Sequence, residues 1–210
     1  TYAWSPDDQR FAYASADEIG LIELPDGERT PLVKFPAYYT GQEWIWTPII
    51  AWSPDGRFIA AVVHVPDEEG RSEPEDSPLF DLWIIDVEDK TAIPLISEVG
   101  MWTAPSWSPF WSTSREKKAS RIVYGVSKSP RDSQNSLYDL YIMDRDGSNR
   151  VKLFPLQGEK GLSIPQVAWS PDGDQLILVY EDNLYLLDPA NGQLQQLTGD
   201  GFSSQPRWVR

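Results

Sequence analysis

The sequence predicts an all-β chain of repeated four-stranded blades, a β-propeller arrangement, and three observations carry that expectation. A Trp-Ser-Pro tripeptide recurs at Trp4-Ser5-Pro6, Trp52-Ser53-Pro54, Trp107-Ser108-Pro109 and Trp169-Ser170-Pro171. With a cut-down fifth copy at Trp208, the tryptophans are spaced by 48, 55, 62 and 39 residues. Each unit holds short strands and no long helical pattern, and periods of about 40 to 50 residues with four strands mark propeller blades.

The elements of a unit follow in a fixed order. Strand A ends in Trp-Ser-Pro. Ser53-Pro54-Asp55-Gly56 then reads as a type I turn, with serine first, proline pre-setting the second backbone angle and glycine last. Strand B follows as an apolar run: "RFAYAS", "RFIAAVV", "RIVYGVS" and "QLILVY". Strand C ends in an acid and a turn: "IGLIELPDGE", "FDLWIIDVEDK", "YDLYIMDRDGS" and "DNLYLLDPANG". Strand D is short: "RTPLVKF", "TAIPLIS", "RVKLFPL" and "QLQQLTG". Alternating β-branched and aromatic residues bounded by turn residues are the strand signal.

Trp-Ser-Pro-Asp-Gly, then Leu-Tyr-Leu-Leu-Asp, then Gln-Leu-Thr resembles the repeat of the TolB-like, WD-like β-propellers, most closely over residues 167–198. The resemblance covers the chain through units at 1–47, 48–103, 104–164 and 165–204, with a partial one at 205–210. The third unit departs, with Phe110 and an insertion in place of Asp-Gly, and the first has Asp8 where glycine is expected. Looser turns are expected at both. The family implies a ring of about six blades, so the chain reads as a fragment: four blades and the first strand of a fifth. A closed four-bladed ring is the alternative.

Composition excludes several functions. The 210 residues, 40% hydrophobic and 12% aromatic, suit one packed β domain. There is no cysteine, hence no disulfide framework and no thiol chemistry. No apolar run is long enough to insert in a membrane. A net charge of −14 repels phosphate backbones and anionic lipid surfaces, so neither nucleic acid nor membrane is an expected partner. A basic partner or a cation is easier to accommodate. The family resemblance implies a periplasmic or extracellular setting.

Insertions in repeat proteins tend to map to the binding face. Four of the five long connections join strand D to A (33–52, 153–169) or B to C (65–81, 127–139), and in an up-and-down blade both kinds emerge on one face. The fifth, 110–120, is an A-to-B insertion on the opposite face. Of ten tryptophans, Trp4, Trp52, Trp83, Trp107, Trp169 and Trp208 read as inter-blade packing. Trp44, Trp46 and Trp102 fall in D-to-A segments, joined by Tyr38, Tyr39, Met101 and Phe202, while Trp111 lies in the opposite-face insertion. Residues leading into the inner strands would line the channel mouth: Trp46, Thr47, Trp102, Thr103, Ser163 and Gln205. Aromatics exposed on such a face read as a recognition surface for a protein, a peptide or a sugar. The alternative is that they pin the loops to the blades.

Other motifs point away from chemistry. The acidic stretch 67–76 reads as a solvated loop, with capture of a basic partner or Ca²⁺ as the sharper reading. Asp144 to Asn149 imitates a calcium loop but repeats the C-to-D hairpin turn of the other units. His64, the one histidine, ends a strand-B run and reads as a rim or core residue. Without cysteine, and with no Gly-x-Ser-x-Gly elbow, neither a Cys/His dyad nor a presented triad can be built. Ser114-x-x-Lys117 sits in a charged insertion. Paired carboxylates for glycoside hydrolysis stay open. The expectation is therefore a non-catalytic binding or scaffolding module with no catalytic residues, no metal site and no cofactor, and with a protein or peptide partner. A small ligand or glycan stays open. The alternative is the substrate-gating propeller of a prolyl-oligopeptidase-like serine peptidase.

Overall fold

The computed structural model describes residues 1–40, 44–109, 112, 113, 116, 117, 120–156 and 158–208, with the backbone alone at 112, 113, 116 and 117. Its first sheet comprises β1 (Tyr2–Trp4), β2 (Arg10–Ala14), β3 (Glu18–Glu23) and β4 (Arg29–Lys34). The second comprises β5 (Ile50–Trp52), β6 (Phe58–Val65), β7 (Leu79–Asp86) and β8 (Thr91–Ile96). The third begins with β9 (Ser106–Trp107). A separate hairpin, β10 (Ser112–Thr113) and β11 (Glu116–Lys117), then precedes β12 (Arg121–Ser127), β13 (Tyr138–Asp144) and β14 (Val151–Phe154). The fourth comprises β15 (Val167–Trp169), β16 (Leu176–Tyr180), β17 (Asn183–Leu187) and β18 (Leu194–Gln196). Each is a four-stranded antiparallel meander. The first strands β1, β5, β9 and β15 contact one another in series, as the inner strands of successive propeller blades do.

The recurring Trp-Ser-Pro is what joins them. Each indole N–H reaches back one blade to the carbonyl of the residue preceding that blade's own tryptophan. Trp52 donates to Ala3 O at 3.1 Å, Trp107 to Ala51 O at 3.0 Å, Trp169 to Ser106 O at 3.2 Å and Trp208 to Ala168 O at 3.2 Å. The serine then closes the A–B hairpin. Its buried Oγ accepts the amide where strand B begins, from Arg10, Phe58 and Arg121 in the first three blades and from Gln175, just before β16, in the fourth, at 2.9–3.0 Å. In three blades it also donates to the turn aspartate, Asp7, Asp55 or Asp172.

The first departing turn is not looser, and that of the third unit falls at Phe110, outside the described residues. Asp8 takes φ 58°, the left-handed conformation of Gly56 and Gly173, and its amide reaches Ser5 O at 3.0 Å, as Gly56 reaches Ser53 O at 2.9 Å. Aspartate tolerates that region better than most residues do. In the third blade Ser108 still pairs with Arg121 through both backbone and side chain, because the insertion forms a hairpin beyond the closing pair.

Alternation places the core between blades. On β12, Ile122 and Tyr124 join the cluster shared with blades 1 and 2, whereas Val123 joins the cluster shared with blade 4. The central blades are thus buried on both faces. Blade 1 is covered on one face alone: Tyr2 is 75% and Trp4 50% exposed, over a shallow apolar groove with Phe11, Tyr13 and Ile22.

Replacing Trp52 or Trp169 with Ala is expected to cost about 3–5 kcal/mol, as for other buried large-to-small changes. Trp52→Phe, which keeps a ring but removes the inter-blade hydrogen bond to the Ala3 carbonyl, should cost about 1 kcal/mol. Trp4→Ala should cost clearly less than either alanine change. Urea denaturation measures all four, and an equal loss at Trp4 would show that inter-blade burial is not the cause.

Candidate functional site

The long loops fold into a connected layer on the face where strand B leads to C and strand D to the next A. His64, near the end of β6, is fully buried, with Nδ1 2.8 Å from Pro36 O and Nε2 2.7 Å from Ser77 O. It therefore sits between the D-to-A segment after blade 1 and the B-to-C loop of blade 2. The Tyr38 and Phe80 rings pack against it at 5.0 and 5.3 Å. Trp46 donates its indole N–H to Met101 O at 3.1 Å and meets Phe80 edge-on at 4.8 Å.

The next segment is tied to blade 3. Met101 N–H donates to Ser133 Oγ at 3.1 Å, Trp102 N–H to Tyr138 Oη at 3.1 Å and Trp102 Nε1 to Gln134 O at 3.0 Å. Tyr138 donates in turn to Ser133 O at 2.8 Å. Burial pushes its phenol up to about 12, so it stays a neutral donor. Thr103 Oγ1 lies between the carbonyls of Val99 and Gly125, at 3.0 and 2.9 Å. Gly100 holds φ 93°, and a Cβ there would lie 2.7 Å from Ser127 Cβ and 2.8 Å from Tyr138 Oη. No other residue fits that approach.

The structure divides the aromatic and mouth candidates. Trp46, Met101 and Thr103 are buried, Trp46 to 2% exposure, so a partner cannot touch them as the recognition reading requires. Each carries hydrogen bonds that fasten a loop, which is why a loop position here is also a core position. Tyr38 is half-buried against His64. Trp44 and Trp102, both half-buried, stack with ring centroids 5.7 Å apart and planes 19° from parallel. Tyr39, near Trp44 in sequence, is 64% exposed, and Thr47 is half-buried. Ser163 is exposed on the segment before blade 4. Phe202, 90% exposed, and Gln205, whose amide donates to Gln166 Oε1 at 2.7 Å, lie on the connection after blade 4. Trp111 lies outside the described residues, as do Phe110 and Ser114.

The acidic stretch is not simply solvated. Asp67 accepts a two-pronged pair from Arg131, at 2.8 and 3.0 Å, and its side chain is 1% exposed. This pair joins the B-to-C loops of blades 2 and 3. Sequence reasoning missed it because its partners are 64 residues apart and no local pattern marks Arg131. A short 3-10 turn, Pro74–Asp76, orders the far end of the stretch. Asp144 to Asn149 forms the turn between β13 and β14, with Gly147 N–H on Asp144 O at 3.0 Å and Ser148 N–H on Asp146 Oδ1 at 3.0 Å. Among the described residues no three His, Asp or Glu side chains gather as a metal site would need.

Arg131 holds the Asp67 carboxyl below its ordinary value of 3.8. A lowered acid stabilises the fold above the unfolded value, and that stability is lost as the pH falls through the folded one. Asp67→Asn should therefore melt below wild type at neutral pH, with the gap closing in strong acid. Thermal melts across the acid range test this, and a gap that does not change with pH would remove the ion pair as its source.

A family model for the N-terminal region of dipeptidyl peptidase IV matches residues 114–210, a little under half of the chain. No curated protein matches the sequence. Among solved structures, TolB from Acinetobacter baumannii is 16% identical, with 94% of this chain and 43% of that one covered, at a TM-score of 0.55. The acylaminoacyl peptidase of Pyrococcus horikoshii is 18% identical, over 95% of this chain and 32% of that one, at 0.59. An auxiliary nutrient binding protein from Bacteroides thetaiotaomicron is 12% identical, over 99% and 43%, at 0.56. The chain thus spans less than half the length of each of these structures, and at such identities the likeness is one of fold. Repeat, blade order and these likenesses agree: in fold, the chain is a TolB-like β-propeller of four consecutive blades.

Proposed function

We propose that these blades form a non-catalytic binding module that recognises a protein or peptide on the loop face, at the mouth of the channel. The observation that carries this reading is the Trp44–Trp102 stack. Two large rings, neither fully buried, are anchored, Trp102 through Tyr138 and Gln134 and Trp44 through the Thr40 bonds to its carbonyl, and Tyr39, bridged to Ile45, is exposed. Preordered aromatic surface binds with little further loss of side-chain freedom. The strong negative charge favours a basic partner. A periplasmic or extracellular setting follows the TolB likeness. The open face of blade 1 and the exposed side of Trp208 are inter-blade faces in this reading, to be covered by further blades beyond units 1–47, 48–103, 104–164 and 165–204.

A second reading is favoured by the dipeptidyl peptidase IV family model and the peptidase structure: a propeller that gates substrate to a serine peptidase domain. Coding sequence beyond residue 210 with an α/β-hydrolase segment and a Gly-x-Ser-x-Gly elbow would select it.

Peptides selected from a random display library on the wild-type chain should bind Trp44→Ala and Tyr39→Ala at least about tenfold more weakly, equal to 1.4 kcal/mol. Both variants should melt near wild type, since neither side chain is fully buried. Unchanged affinity for every selected peptide would sink the aromatic-platform reading, and recovery of glycans alone on an array would redirect it to sugars.

A further inference from the structure

On the reading that the Trp44–Trp102 pair is the recognition surface, its surroundings narrow the partner to one kind of side chain. Residues 38–40 and 44–46 pair as two short antiparallel arms: Trp46 N–H donates to Tyr38 O, Thr40 N–H to Trp44 O, and Tyr39 bridges to Ile45. Alternation sends Tyr38, Thr40, Trp44 and Trp46 to one face of these arms. Thr40 and Trp46 are buried there, whereas Tyr38 and Trp44, diagonal neighbours, are half-buried. Trp44 Nε1 and Tyr38 Oη have no hydrogen-bond partner among the described residues, and neither is one of the buried unpaired atoms, so both reach solvent. Trp102 packs on both core clusters and Trp44 on one, which makes Trp44 the outer ring of the stack.

Two carboxylates from other blades stand beside this face. His64 packs on the Tyr38 ring and meets Ser77 O, which brings Asp76, one residue earlier, to the Tyr38 arm. Trp102 Nε1 meets Gln134 O, two residues past Asp132. Asp76 and Asp132 are exposed and form no ion pair among the described residues; Arg131, next to Asp132, is taken by Asp67. Burial raises the Tyr38 phenol above its ordinary value of 10.0, and the charges of Asp76 and Asp132 raise it further.

Elsewhere the chain covers its aromatic rings with its own arginines: Arg10 over Trp52 at 5.3 Å, Arg121 over Trp169 at 5.9 Å, Arg29 over Tyr13 at 4.4 Å and Arg150 over Tyr141 at 4.3 Å. Among the described residues no cation lies over Trp44. A flat ring, a phenol oxygen and two unpaired carboxylates suit a flat cation with several N–H donors. A lysine ammonium supplies the charge but cannot lie parallel to the ring.

We propose that the aromatic pair receives an arginine of a protein or peptide partner, with its guanidinium stacked on Trp44 and its charge facing Asp76 and Asp132 beside Tyr38. The Trp44 N–H is left for a peptide carbonyl.

The test is a titration of the full chain with acetyl-Gly-Arg-Gly-amide, followed by NMR at the Trp44 indole N–H, which Trp44→Phe identifies. The expected result is saturable binding that shifts this signal and weakens as salt is raised. The citrulline peptide, which keeps the shape but not the charge, should bind at least about tenfold more weakly, and the lysine peptide clearly more weakly too. Asp76→Asn/Asp132→Asn should weaken the arginine peptide and leave the citrulline peptide unchanged; both side chains are exposed, and the melting temperature verifies that the variant folds. Equal binding of citrulline or lysine, an unaffected double variant, or no shift at millimolar peptide would each overturn the proposal. If arginine and citrulline bind equally and both weaken in Trp44→Ala, the aromatic platform stands and the arginine assignment falls. If the arginine peptide binds Trp44→Ala at full affinity, the platform falls and the assignment with it.

Discussion

The hydrogen bond from each tryptophan indole to the previous blade's inner strand is the constraint on which the rest depends. A blade of short strands cannot bury its two faces by itself; it is stable because its neighbours cover them. The indole does two things there. It fills the wedge between blades with a large apolar ring, and its single N–H meets a carbonyl of the neighbouring blade's inner strand. Burying the indole N–H unpaired would be costly, so the contact sets the position of a blade as well as its adhesion. The serine one residue later fixes the hairpin that carries the ring, so three consecutive residues set both the turn and the docking.

Above this repeated frame, the loop face is held by contacts that do not repeat. His64 bridges two loops, the Asp67–Arg131 pair ties one of them to a third, and the Ser133–Tyr138 arrangement seats Met101 and Trp102. Long loops lose considerable freedom when ordered. Here the buried hydrogen bonds and rings offset that loss, and a few aromatic side chains are left over at the surface. The surface is rigid because of what lies under it.

Much of the frame was legible because a repeat exposes itself: four Trp-Ser-Pro copies in register leave few other folds. The turns were legible in kind but not in quality. Asp8 looked like a weak substitute for glycine, yet aspartate can take the left-handed conformation, and only the observed φ shows that it does. The site was legible as a region. That Tyr39 and Phe202 are exposed while Trp46 and Met101 are buried depends on how the loops fold back, which no periodicity records. The Asp67–Arg131 pair joins loops of different blades, 64 residues apart, so the order of residues along the chain carries no sign of it.

The indole contact also has a direction. Donor and acceptor are not interchangeable: each blade gives an N–H to the blade before it and a carbonyl to the blade after it. Successive interfaces are therefore head-to-tail copies of one joint, and each blade carries both halves. A whole blade could be duplicated or lost in evolution without redesigning those on either side, because the newly apposed faces would already match. The unequal spacing of the tryptophans shows the complementary freedom: as long as the joint is kept, the connections between successive joints can lengthen and diversify without disturbing it.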